Sequence, residues 1–203
     1  MLSLGTALPH FDLAAVSGLP LIGVDETKGL ERICSDRLPQ KPLLLMVLCA
    51  HCPFVKHIEI GLTRLDKDYG DRIHILAIAS NSVITHPQDG PEELANQIAK
   101  NGWRFPYLLD LDQTLAKSLQ AACTPDFYLF SGLEQEQKYL RYRGQLDSSR
   151  PGNNIAVTGM DLRAALDAVL LGQSIEKEQK PSIGCNIKWH PGEEPAWFDG
   201  GHS

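Results

Sequence analysis

The sequence predicts an α/β fold, a central mixed β-sheet flanked by helices, and three adjoining segments carry that expectation. Leu43 to Leu48 form an uninterrupted apolar run, as a strand covered on both faces requires. From Cys52 to Tyr69 the period changes: Phe54, Val55, Ile58, Leu62 and Leu65 recur every three or four residues, with Lys56, Glu59, Arg64 and Lys67 on the other face. Pro53 falls in the first turn of this helix, where a missing N–H does no harm. Ile73 to Ala79 is again a short apolar run, and the helix lying between the two strands makes them parallel.

The remaining elements follow in chain order. Apolar pieces at Phe11 to Leu13 and Leu21 to Val24 flank Ser17 and Gly18 as the strands of a hairpin would. Leu30, Ile33 and Cys34 stand at i, i+3 and i+4, which predicts a helical turn with Cys34 on its buried face. After a polar loop, Asn81 to Gly90, Pro91 opens a helix to about Lys100. Phe105 to Leu109 read as a strand, Gln113 to Ala122 as a helix and Phe127 to Phe130 as a strand. Gly132 to Gln137 turn the chain, Tyr139 to Tyr142 return it antiparallel, and Gly159 to Leu171 form a last amphipathic helix. In the closing segment Ile183, Cys185, Ile187 and Trp189 alternate with Ser182, Gly184, Asn186 and Lys188, the period of a strand laid along apolar surface. This gives one domain in three parts: an N-terminal hairpin and short helix over 1–41, a core over 42–172, and an extension over 173–203 that packs on the core.

Composition narrows the function. With 43% hydrophobic and 22% charged residues, the 203-residue chain is long enough to close one sizeable core. Nineteen basic against twenty-five acidic side chains leave a formal charge of -6, so there is no basic footprint for nucleic acid or anionic lipid. No stretch of about 20 apolar residues is present, and the N-terminus does not read as a signal peptide. Five cysteines, an odd number unevenly placed, point to a reducing compartment, the cytoplasm, rather than a disulfide scaffold. A monomer or a homodimer is expected.

Cys49-Ala50-His51-Cys52 stands where the first buried strand gives way to the helix. Unpaired N–H groups and the positive end of the dipole favour a thiolate over a thiol there. This predicts Cys49, at the exposed start of the helix, as nucleophile, and Cys52, one turn further in, as the thiol that resolves its mixed disulfide. His51 between them adds polarity and, when protonated, positive charge that lowers the nucleophile's pKa. A CxxC also begins many zinc knuckles, but a structural zinc needs four ligands, and no second CxxC or HxxxH is present.

Thr124-Pro125 stands just before the strand Phe127 to Phe130. Proline cannot donate to a sheet ladder, so its position needs a reason. A cis Thr124–Pro125 bond gives one, turning Thr124 toward the CxxC and offering its main chain to an extended substrate segment; a trans proline at a strand entrance is the plainer alternative.

On these signals and on LCAHCPFVKH (48–57), FPYLLDLDQTLAKSLQAACTPDFYLF (105–130), RYRGQLDSSRPGN (141–153) and PSIGCNIKW (181–189), the chain resembles the thioredoxin superfamily. More narrowly it resembles the branch of redoxin and alkyl-hydroperoxide-reductase/thiol-specific-antioxidant (AhpC/TSA) domains, in which an N-terminal hairpin and an inserted helix-strand decorate a thioredoxin-like core. The resemblance implies Cys49 as nucleophile, Cys52 as resolving thiol and Pro125 as the cis proline; it implies no substrate. Two departures stand out. Many thioredoxins carry a buried acid on the strand before the CxxC, and residues 43–48 hold none, which leaves Asp126 or a water as proton acceptor. Peroxiredoxins place Thr or Ser three residues before the peroxidatic Cys, and Met46 is there instead.

The leading expectation is therefore a thiol–disulfide oxidoreductase that needs no cofactor. Its partners are protein or small-molecule thiols and disulfides, with a thioredoxin or glutathione-type reductant. Alternatives are a peroxiredoxin-like thiol peroxidase acting through Cys49, and a metal- or cluster-binding protein using Cys49, Cys52 and Cys123. Cys123 adjoins Thr124 and reads either as a third thiol lining the substrate site or as a small core residue. Cys185 reads as buried on its alternating segment, close to Cys123 or the CxxC if the extension folds back. Arg141, Arg143, Asp147 and Arg150 read as solvated or mutually paired, and His57, His74 and His86 as structural or exposed.

Overall fold

A computed structural model describes residues 2–18, 30–132, 134 and 136–198. Its centre is the predicted βαβ unit: β3 (Leu43–Val47), α1 (Pro53–Tyr69) and β4 (His74–Ala79), with β3 and β4 parallel from Leu43↔His74 to Val47↔Ile78. Around it stand β1 (Asp12–Val16), β2 (Glu31–Cys34), α2 (Pro91–Asn101), β5 (Tyr107–Leu109), α3 (Thr114–Leu119), β6 (Cys123–Thr124), β7 (Asp126–Phe130), β8 (Leu140–Gly144), α4 (Met160–Leu170) and β9 (Cys185–Asn186). Among the described residues one seven-stranded sheet runs β2-β1-β5-β4-β3-β7-β8, and a small second ladder pairs β6 with β9. Only β3, β4 and β5 run parallel to their neighbours in the middle; the edges are antiparallel, so the sheet is mixed as expected.

Alternation along β3 explains the unbroken apolar run. Leu44 and Met46 face a core shared with Val55, Ile58 and Leu62 of α1, Leu94 and Ile98 of α2, and Leu162 and Leu166 of α4. Leu43, Leu45 and Val47 face the opposite core with Leu115 and Leu119 of α3 and with Ile187 and Trp189 of the C-terminal extension. Both faces of the strand are covered, which removes any place for a polar side chain. The described helices include none long and apolar enough to cross a membrane.

The N-terminal segment departs from expectation. A hairpin does form, but the partner of β1 is β2, and Cys34 lies opposite Asp12 on that edge strand, half-buried rather than in a helical core. The i, i+3, i+4 coincidence of Leu30, Ile33 and Cys34 is too short to separate a helical turn from a twisted edge strand. A 3-10 turn at Ser35–Arg37 follows the strand and is the only helical element there among the described residues. The Leu21 to Val24 piece lies outside the described residues.

The extension docks with Ile187 and Trp189 buried, but Ile183, read on the same apolar face, is turned out to solvent and Cys185 is only half-buried. Gln145 N–H donates to the Lys180 carbonyl at 3.1 Å, and Gly144 permits the approach because a Cβ there would collide with that same carbonyl. Further on, Ile187 N–H donates to the Ala122 carbonyl and Ser82 N–H to the Lys188 carbonyl.

Candidate active site

The loop between β3 and α1 carries Cys49, Ala50, His51 and Cys52. Cys52 is the N-cap of α1, in extended conformation, and its carbonyl accepts the first helical bond from Lys56 N–H at 3.0 Å. The Thr124–Pro125 peptide is cis, and both sulfurs converge on Thr124. Cys49 Sγ lies 3.4 Å from Thr124 Oγ1, and Cys52 Sγ lies 3.3 Å from the Thr124 carbonyl oxygen. Cys49, Cys52, Thr124 and Pro125 are thus brought together, as the sequence suggests.

Exposure is otherwise than expected. Cys49 stands before the helix proper, and both Cys49 and Cys52 are 0% exposed, so the anticipated open nucleophile is sealed. The balance of charge between the sulfurs also differs. Cys52 is pulled well below the usual thiol range by the hydrogen bond from Cys49, helped by Cys185, Thr124 and the Val55 N–H. Cys49 is pushed up by that same bond to Cys52, by burial and by the charge of Asp89. The thiolate-favouring position is the helix N-cap, which belongs to Cys52 rather than Cys49.

Asp89 gives the loop its shape. This buried residue ends a 3-10 turn, Pro87–Asp89, in the segment read from sequence as a polar loop. Its Oδ1 accepts from Ala50 N–H at 3.0 Å and His51 N–H at 3.2 Å. Its Oδ2 accepts from His51 Nδ1–H at 2.6 Å and from Asn81 Nδ2 at 2.8 Å. A buried carboxylate surrounded by four donors is a fixed anchor. Nothing in the local pattern Gln88-Asp89-Gly90 marks it, because its donors come from another part of the chain. His86 stacks on His51 with centroids 5.4 Å apart, so it belongs to this surround.

Cys49, His51 and Asp89 place their donor atoms within 4.8 Å of one another. The grouping of Cys49, Cys52 and Cys123 considered from sequence is not as compact, since Cys123 joins no such cluster among the described residues. Cys123 instead directs its sulfur to the Pro125 carbonyl at 3.8 Å, and burial, followed by the Asp126 charge, raises its pKa.

The sequence places Cys185 close to Cys123 or the CxxC if the extension folds back, and the extension does so. Strand β9 pairs antiparallel with β6, in register Cys123↔Asn186 and Thr124↔Cys185, so the main-chain edge expected to take a substrate is taken by the chain's own extension. Cys185 Sγ then lies 2.9 Å from Cys52 Sγ, and both are free thiols. Of the Arg cluster, Arg141 pairs with Glu134 and Arg150 donates to the Asp147 and Ser149 carbonyls, whereas Arg143 Nε and Nη1 and Arg150 Nε are buried without a hydrogen-bond partner among the described residues.

Among curated proteins none matches the chain. A crystal structure of an uncharacterized conserved protein from Geobacillus kaustophilus is 42% identical, over 94% of this chain and 94% of that one, with a TM-score of 0.82. A hypothetical protein from Sinorhizobium meliloti 1021 is 38% identical over 95% and 97% of the two chains, also with a TM-score of 0.82. A thioredoxin-like protein in its oxidized form superposes with a TM-score of 0.59 over 85% and 100%; at 18% identity it bears on the fold alone. The fold is thioredoxin-like, with the mixed sheet and cis proline already described. The AhpC/TSA family model matches residues 4–143, well over half of the chain, and this protein belongs to that family of thioredoxin-like redox proteins.

Proposed function

We propose that the protein is a thiol–disulfide oxidoreductase that cycles Cys49 and Cys52 between dithiol and disulfide. The observation supporting this most directly is the convergence of both sulfurs on Thr124 at the mouth of α1. In the reducing direction Cys49 attacks one sulfur of a substrate disulfide, its proton passing toward His51, which Asp89 holds beside it. The bond between the substrate sulfurs breaks and one leaves as a thiolate. Cys52 then attacks Cys49, closing the Cys49–Cys52 bond and releasing the second substrate thiol. Atoms and electrons balance: one dithiol and one disulfide become one disulfide and two thiols.

Thr124 positions the pair, and Pro125 shapes the backbone that presents it. Because neither sulfur is exposed, a substrate disulfide reaches Cys49 only when the segment lying across Thr124 parts from it. The test is turnover of insulin disulfides with each cysteine replaced in turn. Cys49→Ser is expected to abolish turnover, and Cys52→Ser to accumulate mixed disulfides detectable by mass. Full insulin-reducing activity in the Cys49→Ser protein would overturn the reading.

A further inference from the structure

We propose that Cys185 is a third redox thiol of this site, exchanging disulfide with Cys52 and linking the sealed pair to thiol reductants in solvent. The inference rests on the thiol–disulfide reading above and adds the route by which the pair is reduced again. Three observations carry it. The Cys185 and Cys52 sulfurs stand 2.9 Å apart, although 133 residues separate them in sequence. Of the three cysteines at this site, Cys185 is the one with exposed surface, Cys49 and Cys52 having none. And Cys185 is held where an extended substrate segment was expected, paired to Thr124 on the edge of the cis-proline strand.

That placement is built into the chain. Gly184, immediately before, packs so close to Thr124 that a Cβ would sit 2.6 Å from its carbonyl carbon. Immediately after, Ile187 is buried, and Lys188 N–H donates to Asn81 Oδ1 at 2.9 Å while its carbonyl accepts from Gln113 Nε2, also at 2.9 Å. His190 N–H donates to Gln113 Oε1 at 2.8 Å. Bonds on both sides of Cys185 fix its register, so the sulfur contact is the consequence of a docked strand.

The chemistry needs only thiols. Starting from the Cys49–Cys52 disulfide, the Cys185 thiolate attacks Cys52 Sγ; the Cys49–Cys52 bond breaks, and its electron pair leaves on Cys49, which takes up a proton. The Cys52–Cys185 disulfide so formed includes one half-buried residue, Cys185, where the Cys49–Cys52 disulfide had none. An external monothiol of the glutathione class attacks Cys185, and Cys52 departs as the thiolate its helix N-cap stabilises. A second monothiol attacks the first, giving the external disulfide and freeing Cys185. The sum is one protein disulfide and two monothiols giving one protein dithiol and one external disulfide. In the resting reduced state Cys185 keeps its proton, burial and the hydrogen bond to Cys52 raising its pKa.

Two measurements test this. In Cys49→Ser protein treated with oxidised glutathione, peptide mapping without reductant is expected to find a Cys52–Cys185 disulfide. A stable glutathione adduct on Cys52 with Cys185 free would overturn the proposal. In rapid mixing of the oxidised full-length protein with glutathione, Cys185→Ser and Cys185→Ala are both expected to slow reduction of the Cys49–Cys52 disulfide by about tenfold or more. Reduction at the wild-type rate in both variants would overturn it equally. The underlying reading fails in a different way: wild type and Cys185→Ser would then both lack a Cys49–Cys52 disulfide in an oxidising glutathione buffer.

Discussion

Asp126, beside the cis proline, and Asp89, bonded to the loop between Cys49 and Cys52, are both buried carboxylates with different partners. Asp89 accepts from the backbone and ring of His51 and raises the Cys49 pKa through its charge. Asp126, the sequence's candidate for proton acceptor, accepts instead from Tyr128 O–H at 2.6 Å and from the Phe127 N–H, and it influences Cys123 rather than Cys49 or Cys52. Burial holds its carboxyl up at about 6, against an ordinary value of 3.8. The sign follows from linkage. The folded protein prefers the protonated form, so Asp126 adds stability below about pH 4, and that contribution is lost as pH rises through about 6. A shift of roughly two units corresponds to about 3 kcal/mol. Denaturant unfolding at a series of pH values is expected to show wild type losing about that much between pH 4 and 7 relative to Asp126→Asn, whose amide does not titrate. Parallel curves for the two proteins across this window would show that burial does not raise the carboxyl's pKa.

At the scale of elements, α1 and β9 divide the work on one sulfur. The N-cap of α1 stabilises the Cys52 thiolate, and β9 covers it while bringing up Cys185. Separating the two effects calls for a change on β9 that leaves every cysteine in place. Gly184 offers it, because an added methyl meets the main chain of Thr124, which cannot rotate away as a side chain would. Gly184→Ala is expected to lift β9 from β6, open Cys52 to solvent and raise its rate of alkylation by iodoacetamide about tenfold, with stability lower by about 1–3 kcal/mol. An unchanged alkylation rate would mean that β9 does not form the cover. Gly144 stands in a similar relation to Lys180 at the other end of the docked segment, so the extension is held at two glycine contacts.

At the scale of the molecule, what could be read from sequence follows the range of the interactions involved. The β3–α1–β4 unit was legible because its strands are buried on both faces and its helix on one, and those burial patterns are written in adjacent residues. The Cys49–Cys52 pair and the cis Thr124–Pro125 bond were legible for the same reason, each being a local pattern with a physical motive. Cys34 was misplaced because four residues of an edge strand can imitate a helical turn. Asp89 left no local trace, since its partner His51 lies 38 positions away, while the alternation around Cys185 marked a docked segment but not which thiol, 133 positions away, it would meet. The assembled site also bears on the choice between disulfide exchange and the peroxide chemistry that the family resemblance raises. A peroxidatic sulfur has to meet peroxide as a thiolate beside donors that polarise the O–O bond. Here Met46, fully buried on β3, supplies no hydroxyl three residues before Cys49. The Thr124 hydroxyl, 3.4 Å from Cys49, is already engaged with that sulfur. Stopped-flow mixing of the reduced protein with hydrogen peroxide is therefore expected to oxidise its thiols no faster than free cysteine, while exchange with glutathione disulfide proceeds. A second-order rate far above that of free cysteine, lost in Cys49→Ser, would instead make peroxide the substrate and require the cover over Cys49 to open readily in solution.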